Sequence, residues 1–387
     1  MPDGWTTTQL RDVATIKGLV GGPFGSNLGT RDYTSGGIPV IRGQNLVGGR
    51  YVSFEDCVYV SQPKVAQHLS GNTACPGDLA FTQRGTLGQV AVMPAEPPIA
   101  VLSQSQMRLR IDDSAADPWF VYYCTTAPKF LKQIRDNAII AGVPHINLGI
   151  LGSLTIPTPP LEEQRRIAGV LGALDDLIDT NGRLRHLLRR AQASLYQLAI
   201  QRGFETVSLG DCAQFHNRER IPLSKAERSA MPGPFPYFGA TGVVDTVGRY
   251  LFDEVHVLVG EDGSVIQDDG SPVVQMVWGK YWVNNHAHVL SGVGISDGLL
   301  RQALLASNVA SLVTGAVQAK LSMGRLKTLH LHLPVDSTVS QVIDLLAAAE
   351  REFSDEVVAV ASTRDELLPL LMSGRVRVSP AAGSLAG

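Results

Sequence analysis

Residues 156–168 read Ile-Pro-Thr-Pro-Pro-Leu-Glu-Glu-Gln-Arg-Arg-Ile-Ala and mark the start of a long helix in the middle of the chain. Proline is tolerated in a first helical turn, where its missing N–H would have no partner, and Glu162 and Glu163 suit the positive end of the helix dipole. From Ile167 onward apolar residues recur at alternating steps of three and four. This heptad pattern predicts an apolar seam that needs a partner helix.

One polar residue, Asn181, interrupts the predicted seam of this central helix. A lone Asn at such a position typically lowers stability but fixes the register and the number of partners. The members of the seam are Ile167, Val170, Leu174, Leu177, Asn181, Leu184, Leu188, Ala191, Leu195 and Leu198.

A second, less regular apolar stripe near the C-terminus is the predicted partner helix. Asp336 or Ser337 is placed to cap it and Gly374 to end it, while Pro369 is expected to kink it or end it early. The two stripes predict an antiparallel coiled-coil rod; the alternative is two amphipathic helices that pack only on their own domains. The second stripe contains Val339, Val342, Leu346, Ala349, Phe353, Val357, Val360, Leu367 and Leu371.

The composition is typical of a soluble globular protein. The chain has 387 residues, 44% of them hydrophobic and 18% charged, which is enough for two domains with helical connectors. It has no run of 18 apolar residues, and residues 1–5 resemble neither a signal nor a transit sequence, so we expect a cytoplasmic protein. The isolated cysteines Cys57, Cys75, Cys124 and Cys212 indicate neither a zinc site nor a disulfide framework. The net charge of −3 argues against a stand-alone nucleic-acid binder.

The two halves of the chain repeat one plan. At a spacing of 199 residues Thr7, Leu10, Asp12 and Ala14 match Thr206, Leu209, Asp211 and Ala213. At a spacing of 175, Ile146, Leu151, Leu154, Ile156 and Pro159 align with Leu321, Leu326, Leu329, Leu331 and Pro334. We therefore predict an α/β fold with two globular domains, 1–157 and 204–334, related by an internal repeat. Two long antiparallel coiled-coil helices, 158–203 and 335–376, separate them, and 377–387 is expected to be a disordered tail.

Within each domain, short β-rich runs alternate with Gly and Pro. In the first domain residues 38–42, 78–82 and 107–111 are predicted strands, 83–89 an exposed turn and 118–136 a helix. In the second domain residues 256–263 form a strand and turn that parallel those around Arg84. Residues 282–290 are a predicted strand and 299–312 a helix.

The chain resembles the specificity (S) subunit of type I restriction-modification systems over nearly its whole length. The resemblance rests on the duplicated plan, on residues 156–168, and on the stretches 77–88, 235–242 and 284–289. It implies that each globular domain is a target-recognition domain that reads one half of a bipartite site in double-stranded DNA. The helical rod would set the gap between the half-sites and dock two methyltransferase (M) subunits, as part of a defence against phage.

The resemblance also implies which chemistry belongs to the partners. The M subunits would bind S-adenosylmethionine and methylate adenine, and restriction (R) subunits would use ATP and Mg. The S subunit itself would catalyse nothing and would hold no cofactor or metal.

The motifs in the sequence agree with a non-catalytic chain. There is no G-x-x-x-x-G-K-[ST] phosphate loop, no G-x-G-x-x-G after a strand, and no Asn-Pro-Pro or Asp-Pro-Pro followed by an aromatic residue. His286 and His288 are predicted on one strand face, but no Cys or carboxylate at ligand spacing accompanies them. Glu261 and Asp262 could form a catalytic acid pair, yet their Gly-flanked turn favours a turn role or a base-edge acceptor.

Sequence is read in DNA by Arg on guanine, by Asn or Gln on adenine and by acidic groups on cytosine, usually from loops on a rigid frame. For each candidate the alternative is a solvated loop group or a local turn hydrogen bond. The candidates in the first domain are Arg42, Gln44, Asn45, Gln83, Arg84, Thr86, Gln104, Ser105, His145 and Asn147. Those in the second are Tyr237, Thr241, Glu261, Asp262, Asn284, Asn285, His286 and Lys320.

The acidity of the chain is concentrated away from the first recognition domain. Residues 1–158 carry 12 Lys and Arg against 11 Asp and Glu, whereas residues 335–387 carry 4 against 8. Because phosphate contacts supply much of the affinity for DNA, we expect weak binding by the isolated chain and strong binding by its complex with M.

Two other functions are compatible with the same pattern. One is a protein scaffold that carries two binding modules on a coiled-coil rod and binds no DNA. The other is the detached recognition half of a methylase-nuclease fusion. A neighbouring adenine methyltransferase gene would favour the S-subunit interpretation, and its absence would favour the scaffold.

Overall fold

The computed structural model describes residues 4–140, 142–315 and 318–379. The chain divides into two compact units, Met1–Ile178 with Ala359–Gly387, and Asp179–Val358. Of the predicted tail 377–387, residues 380–387 lie outside the described part. Residues 377–379 are described, and the side chain of Arg377 forms an ion pair with Glu163 at 2.7 Å.

The first unit contains two sheets and a strand pair. Its sheet orders are β2-β10-β7-β8 and β3-β5-β4-β9-β6, and β1 pairs with β11. The strands are β1 (Thr6–Gln9), β2 (Ala14–Gly21), β3 (Tyr33–Thr34), β4 (Ile38–Ile41), β5 (Val58–Val60), β6 (Thr73–Ala74), β7 (Leu79–Thr82), β8 (Val90–Val92), β9 (Ala100–Leu102), β10 (Gln106–Ile111) and β11 (Thr155–Thr158). The helices are α1 (Gln62–Lys64), α2 (Pro118–Thr126), α3 (Pro128–Asn137), α4 (Leu148–Ser153) and the start of α5 (Leu161–Arg202).

The second unit repeats part of this plan. Its sheet orders are β13-β20-β17-β18 and β15-β14-β19-β16, and β12 pairs with β21. The strands are β12 (Phe204–Ser208), β13 (Ala213–Phe215), β14 (Phe235–Phe238), β15 (Val243–Val247), β16 (Phe252–Asp253), β17 (His256–Gly260), β18 (Val274–Val277), β19 (Lys280–Val283), β20 (Ala287–Gly292) and β21 (His330–Pro334). The helices are α6 (Leu209–Cys212), α7 (Lys225–Ala230), α8 (Asp297–Leu305), α9 (Met323–Lys327) and most of α10 (Ser337–Met372).

The predicted internal repeat is confirmed by these topologies. The sheet β2-β10-β7-β8 has its counterpart in β13-β20-β17-β18, strand for strand in chain order. The antiparallel pair β1-β11, which leads into α5, likewise corresponds to β12-β21, which leads into α10.

Both long helices contribute to the core of each unit. In the first unit Ile167 and Leu171 of α5 pack in one cluster with Leu371 and Met372 of α10. In the second unit Tyr196 of α5 and Ile343 of α10 are buried in the main core. In the second unit Arg189 pairs with Glu350, whereas Tyr196 shares its core with Ile343, so higher residue numbers on α5 meet lower numbers on α10. In the first unit the pairs Glu163–Arg377 and Asp175–Arg364 run in the same antiparallel sense, with Arg377 just beyond the end of α10.

The ends of the long helices follow the predicted signals with one exception. Helix α5 begins directly after Pro160, and Asp336 Oδ1 accepts a hydrogen bond from Thr338 N at 3.0 Å at the start of α10. Gly374 follows the end of α10 with a φ of 66°. The expected early end at Pro369 is wrong, because α10 continues to Met372. Burial of this last turn in the core of the first unit offsets the backbone hydrogen bond that proline cannot make.

The buried face of the long helices differs from the predicted heptad seam. Ile167, Asn181 and Leu371 are buried as predicted, but Val170, Leu177, Leu198 and Val342 are exposed. The remaining predicted positions are half-buried: Leu174, Leu184, Leu188, Ala191, Leu195, Val339, Leu346, Ala349, Phe353, Val357, Val360 and Leu367. The buried positions outside the predicted stripes are Glu163, Gln164, Ala168, Leu171, Asp175, Gln192, Tyr196, Ala199, Ile343, Ala347, Glu350, Ser354 and Met372. The reason is that each helix also packs against the sheets and short helices of its unit, so its buried stripe is not set by the other long helix alone.

Acid–arginine pairs join α5 to α10 in both units. In the first unit Asp175 accepts from Arg364 Nη1 at 2.7 Å and from Tyr123 OH at 2.6 Å. In the second unit Glu350 accepts from Arg189 Nε at 2.6 Å. Asp175 and Glu350 are 175 residues apart, and so are Arg189 and Arg364. This is the same spacing that relates the two copies of the sequence repeat. The same ion pair is thus present in both copies with the two helices exchanging roles.

Three predicted elements need correction. The helix predicted over 118–136 divides into α2 and α3 because Ala127, which precedes Pro128, is extended. The strand predicted over 282–290 is interrupted by a turn after Val283, in which Asn284 Oδ1 accepts from His286 N at 2.8 Å. His286 and His288 therefore do not share a strand face. Helix α8 ends at Leu305 and does not reach residue 312.

Candidate nucleic-acid interface

A backbone frame in the first unit joins the turn after β7 to the loop before β10 and to the hairpin before α4. Gln83 N donates to Ser105 O at 2.7 Å, Ile146 N donates to Gln83 O at 2.9 Å, and Gly85 N donates to Pro144 O at 3.2 Å. We call residues 83–85, 105 and 144–146 the first edge. The hydrogen bonds bring the predicted candidates Gln83, Arg84, Ser105 and His145 together.

The second unit contains the same frame. Glu261 N donates to His286 O at 2.8 Å, Leu321 N donates to Glu261 O at 2.9 Å, and Gly263 N donates to Ala319 O at 2.9 Å. We call residues 261–263, 286 and 319–321 the second edge. Its hydrogen bonds match those of the first edge one by one, so positions 83, 84, 105 and 145 correspond to positions 261, 262, 286 and 320.

Isolated β-bridges support this correspondence. In the first unit His145 pairs with both Ile139 and Arg84, and in the second unit Lys320 pairs with both Thr314 and Asp262. The two edges therefore share backbone geometry and differ in side-chain chemistry.

An open cleft of about 470 Å³ lies beside the first edge. It gathers five predicted candidates together with a glycine-rich loop that the sequence did not suggest as part of the site. Phe24 in this loop is 85% exposed, which gives the cleft an apolar rim. The lining residues are Gly21, Gly22, Pro23, Phe24, Gly25, Gln83, Arg84, Gln104, Ser105, Asn147, Leu148 and Gly149.

Two of the cleft residues form hydrogen bonds that hold the structure around the cleft. Asn147 Oδ1 caps α4 by accepting from Ile150 N at 2.8 Å. Gln104 Nε2 donates to Leu28 O at 2.8 Å and to Gly25 O at 2.5 Å, and so holds the glycine-rich loop against the cleft. Arg84 and Thr86 are exposed in the turn.

Arg42, Gln44 and Asn45 form a separate group after β4. Arg42 Nη2 donates to Asp56 O at 3.1 Å, and Gln44 is exposed. Asn45 is buried, with Oδ1 accepting from Arg42 N and Nδ2 donating to Ser53 O, each at 2.9 Å. The interpretation of Asn45 as a direct DNA contact is corrected, because both ends of its side-chain amide form hydrogen bonds to the backbone of this loop.

Ion pairs organise the second edge. Glu261 accepts from Arg220 Nη1 at 2.8 Å, and the same nitrogen donates to Ala287 O at 2.5 Å. Asp262 lies 3.2 Å from Lys320 Nζ and 3.8 Å from His286 Nδ1. Arg220 was absent from the predicted site, since an arginine before Ile221-Pro222 carries no pattern that distinguishes it from a solvated loop residue.

A buried histidine supports this edge from behind. His288 is fully buried, its Nε2 lies 2.7 Å from Leu321 O and its Nδ1 lies 2.8 Å from Asn217 Nδ2. Burial lowers the pKa of His288, which favours the neutral ring with Nε2–H as donor. His288 lies on β20 and its ring contacts Leu321 of the second edge, which makes it a structural residue.

Two candidates of the second unit are interior residues. Tyr237 is buried and its hydroxyl accepts from Leu223 N at 2.9 Å. Asn284 is buried and shapes the turn that carries His286. Both are corrected from direct DNA contacts to supporting residues, whereas Thr241, Asn285 and His286 are exposed.

Residues 4–140, 142–315 and 318–379 contain no group of three or more His, Cys, Asp or Glu side chains that could hold a metal ion. Within the same described ranges, no helix is long and apolar enough to cross a membrane.

Comparisons with known proteins identify the family. The model of the type I restriction modification DNA specificity domain matches residues 2–190 and 201–352. The chain is 21% identical to the type I restriction enzyme MjaIX specificity subunit of Methanocaldococcus jannaschii over an alignment of 421 positions with gaps, which covers 98% of this chain and 95% of that one. It is also 30% identical over 141 residues to S.HindORF215P of Haemophilus influenzae, assigned as a type I restriction enzyme specificity subunit; this match spans 36% of each protein.

A solved structure has the same fold. The crystal structure of the type I restriction-modification S subunit from M. genitalium superposes with a TM-score of 0.60 at 17% identity, covering 95% of this chain and 96% of that one. The repeated topology, the two matched edges and the domain matches lead to one conclusion: the chain belongs to the family of type I restriction-modification specificity subunits.

Proposed function

We propose that this chain gives sequence specificity to a DNA adenine methyltransferase complex by contacting one half of a bipartite site with each of its two edges. The observation that carries the proposal is the repeated backbone frame. It presents exposed polar side chains of base-reading type, Arg84 on the first edge and His286 on the second, from turns fixed by three matched hydrogen bonds.

Each domain and each helical segment of the repeat has its own proposed role. Residues 1–157 and 204–334 are the proposed target-recognition domains, and the helical segments 158–203 and 335–376 set the gap and dock two M subunits. Exposed apolar residues on the long helices, including Leu187, Leu345 and Val358, support a protein partner, because solvent-facing residues of this size gain from burial. S-adenosylmethionine would be bound by M, and ATP and Mg by R subunits where these are present.

The proposal is tested by sequencing the methylome of a host that expresses this chain together with the neighbouring M subunit, with M alone as the control. We expect a split, adenine-methylated motif only when both proteins are present. If the complex assembles and no chain-dependent motif appears, the proposal is wrong and a scaffold role is favoured.

A binding experiment tests the predicted dependence on M. With a duplex containing the motif, we expect the isolated chain to bind weakly and the complex with M to bind strongly. The affinity of the complex should fall with salt at a slope of about −0.9 per phosphate contacted. Nanomolar sequence-specific binding by the isolated chain would contradict this expectation.

A further inference from the structure

We infer that Arg84 and Asp262, which occupy matched positions on the two edges, each determine one base of their half-site and read opposite chemistry. Arg84 would contact a guanine, and Asp262 would accept from the amino group of a cytosine. The inference rests on the proposed function and deepens it, since it names the base class that each edge reads.

Arg84 and Asp262 occupy equivalent positions on the two edges. Each residue follows the central residue of its frame, Gln83 or Glu261, and precedes a glycine whose N–H donates into the neighbouring hairpin. The three matched hydrogen bonds differ in length by at most 0.3 Å. Because the backbone frame is the same, the two residues project from equivalent places, and the chemical difference between the edges resides in their side chains.

The side chains at these two positions have opposite hydrogen-bonding chemistry. The guanidinium of Arg84 is exposed and can only donate, which suits the O6 and N7 acceptors of guanine in the major groove. An ionised Asp262 can only accept, which suits the N4 amino group of cytosine. A pair of edges with one geometry and opposite hydrogen-bonding character would distinguish the two half-sites.

The second edge carries two adjacent carboxylates, and they have different ion-pair partners. The side chains of Glu261 and Asp262 are similarly buried, at 15% and 17% exposed, so it is their partners that differ. Glu261 is held by Arg220, whose side chain is only 11% exposed, so this pair belongs to the frame. Asp262 is paired with Lys320, whose side chain is 50% exposed. When the second edge meets DNA, the mobile ammonium of Lys320 can move to a phosphate and leave the carboxylate of Asp262 to a base.

Methylome sequencing of the chain with its M subunit tests the inference through Arg84→Gln and Asp262→Asn. We expect R84Q to lower the preference for guanine at one position of one half-site by about 10- to 100-fold, and D262N to have a comparable effect on cytosine in the other half-site. Matched controls are Lys132→Gln on α3 and Asp268→Asn in a turn of the second unit, which should leave the motif unchanged.

Two further variants separate reading from the ion pair. Asp262→Glu keeps a carboxylate and should retain more of the cytosine preference than D262N. Lys320→Gln keeps Asp262 and should retain that preference while weakening binding to all sequences. If K320Q changes the motif as D262N does, the ion pair and not the carboxylate sets specificity, and the inference is overturned.

The outcomes distinguish this inference from the proposed function. A wild-type chain without any motif refutes the proposed function. A wild-type motif that R84Q and D262N leave intact refutes only the assignment of these two residues. The same holds if either variant changes both half-sites, or if both variants change the same half-site. If the D262N complex fails to assemble, the comparison of D262E with K320Q decides the case.

Discussion

Replacing Glu350 with Gln should strongly destabilise the helix pair of the second unit. Glu350 is 3% exposed, and its carboxylate accepts three hydrogen bonds, from Arg189 Nε at 2.6 Å, Arg301 Nη1 at 2.8 Å and Gln192 Nε2 at 3.0 Å. Burial alone would raise the pKa of Glu350, but Arg301, Arg189 and Gln192 lower it below its usual value, so the group is ionised at neutral pH. The variant removes this charge without removing the side chain.

The size of the effect follows from the arginine that remains. The Arg301 side chain is 9% exposed, so E350Q would leave a buried guanidinium without its counter-ion. Breaking a buried pair in this way costs about 3–5 kcal/mol. The counterpart in the first unit, Asp175→Asn, should cost less, about 1–3 kcal/mol, because Arg364 is 30% exposed and also pairs with Asp365.

Urea unfolding followed by circular dichroism measures the difference, and hydrogen exchange of peptides from α8 and α10 locates it. Glu352→Gln, an exposed change on the same helix, is the control and should alter the free energy of unfolding by no more than about 0.5 kcal/mol. If E350Q lowers the free energy of unfolding by no more than this control does, the acid–arginine pairs do not hold the helices together and the prediction is wrong.

Three further changes test other parts of the molecule. Burial and the nearby His216 lower the pKa of His256 from 6.5 to about 4, so its contribution to stability is complete above pH 6.5 and is lost as the pH falls toward 4. We expect a loss of roughly 2 kcal/mol after allowance for solvent screening, and His256→Gln should flatten this part of the stability profile measured by urea unfolding. Gly22→Ala should destabilise the first unit by at least about 1–3 kcal/mol in thermal unfolding, because its Cβ would lie 1.8 Å from Ser103 O. Asn45→Ala should lower stability by about 1–3 kcal/mol and leave the methylated motif unchanged; an altered motif without a loss of stability would restore Asn45 as a DNA contact.

The architecture could be predicted from the sequence because the repeat has two independent signals. Matched residues at spacings of 199 and 175 gave the order of domains and helices, and the proline and acidic start of α5 gave its first turn. The face of the long helices could not be predicted, since a heptad pattern assumes that one helix is the only partner. Asp175 and Glu350, buried and paired with arginine, look like solvent-facing residues in the sequence.

The positions of the candidate loops could be predicted from the sequence more reliably than the exposure of their individual side chains. The turns around Arg84 and Asp262 were identified because glycines and polar residues follow a buried strand. Asn45, Tyr237 and Asn284 were chosen for their hydrogen-bonding groups, but whether such a group faces solvent or the backbone depends on tertiary contacts. Arg220 was missed for the same reason, because its partners Glu261 and Ala287 lie far away in sequence.

The first unit is built from two separate segments of the chain, which has a consequence for the order in which the two units can fold during protein synthesis. Leu371 and Met372 complete its core and Arg364 pairs with Asp175, yet the ribosome makes these residues only after the whole of the second unit. At about 5–20 residues per second, residues 179–358 take on the order of 10 to 40 s to emerge. During that interval Ile167 and Leu171 are not yet covered by Leu371 and Met372. The first unit therefore completes its core only after the second unit has been synthesised, and until then it stays partly unfolded or is bound by a chaperone.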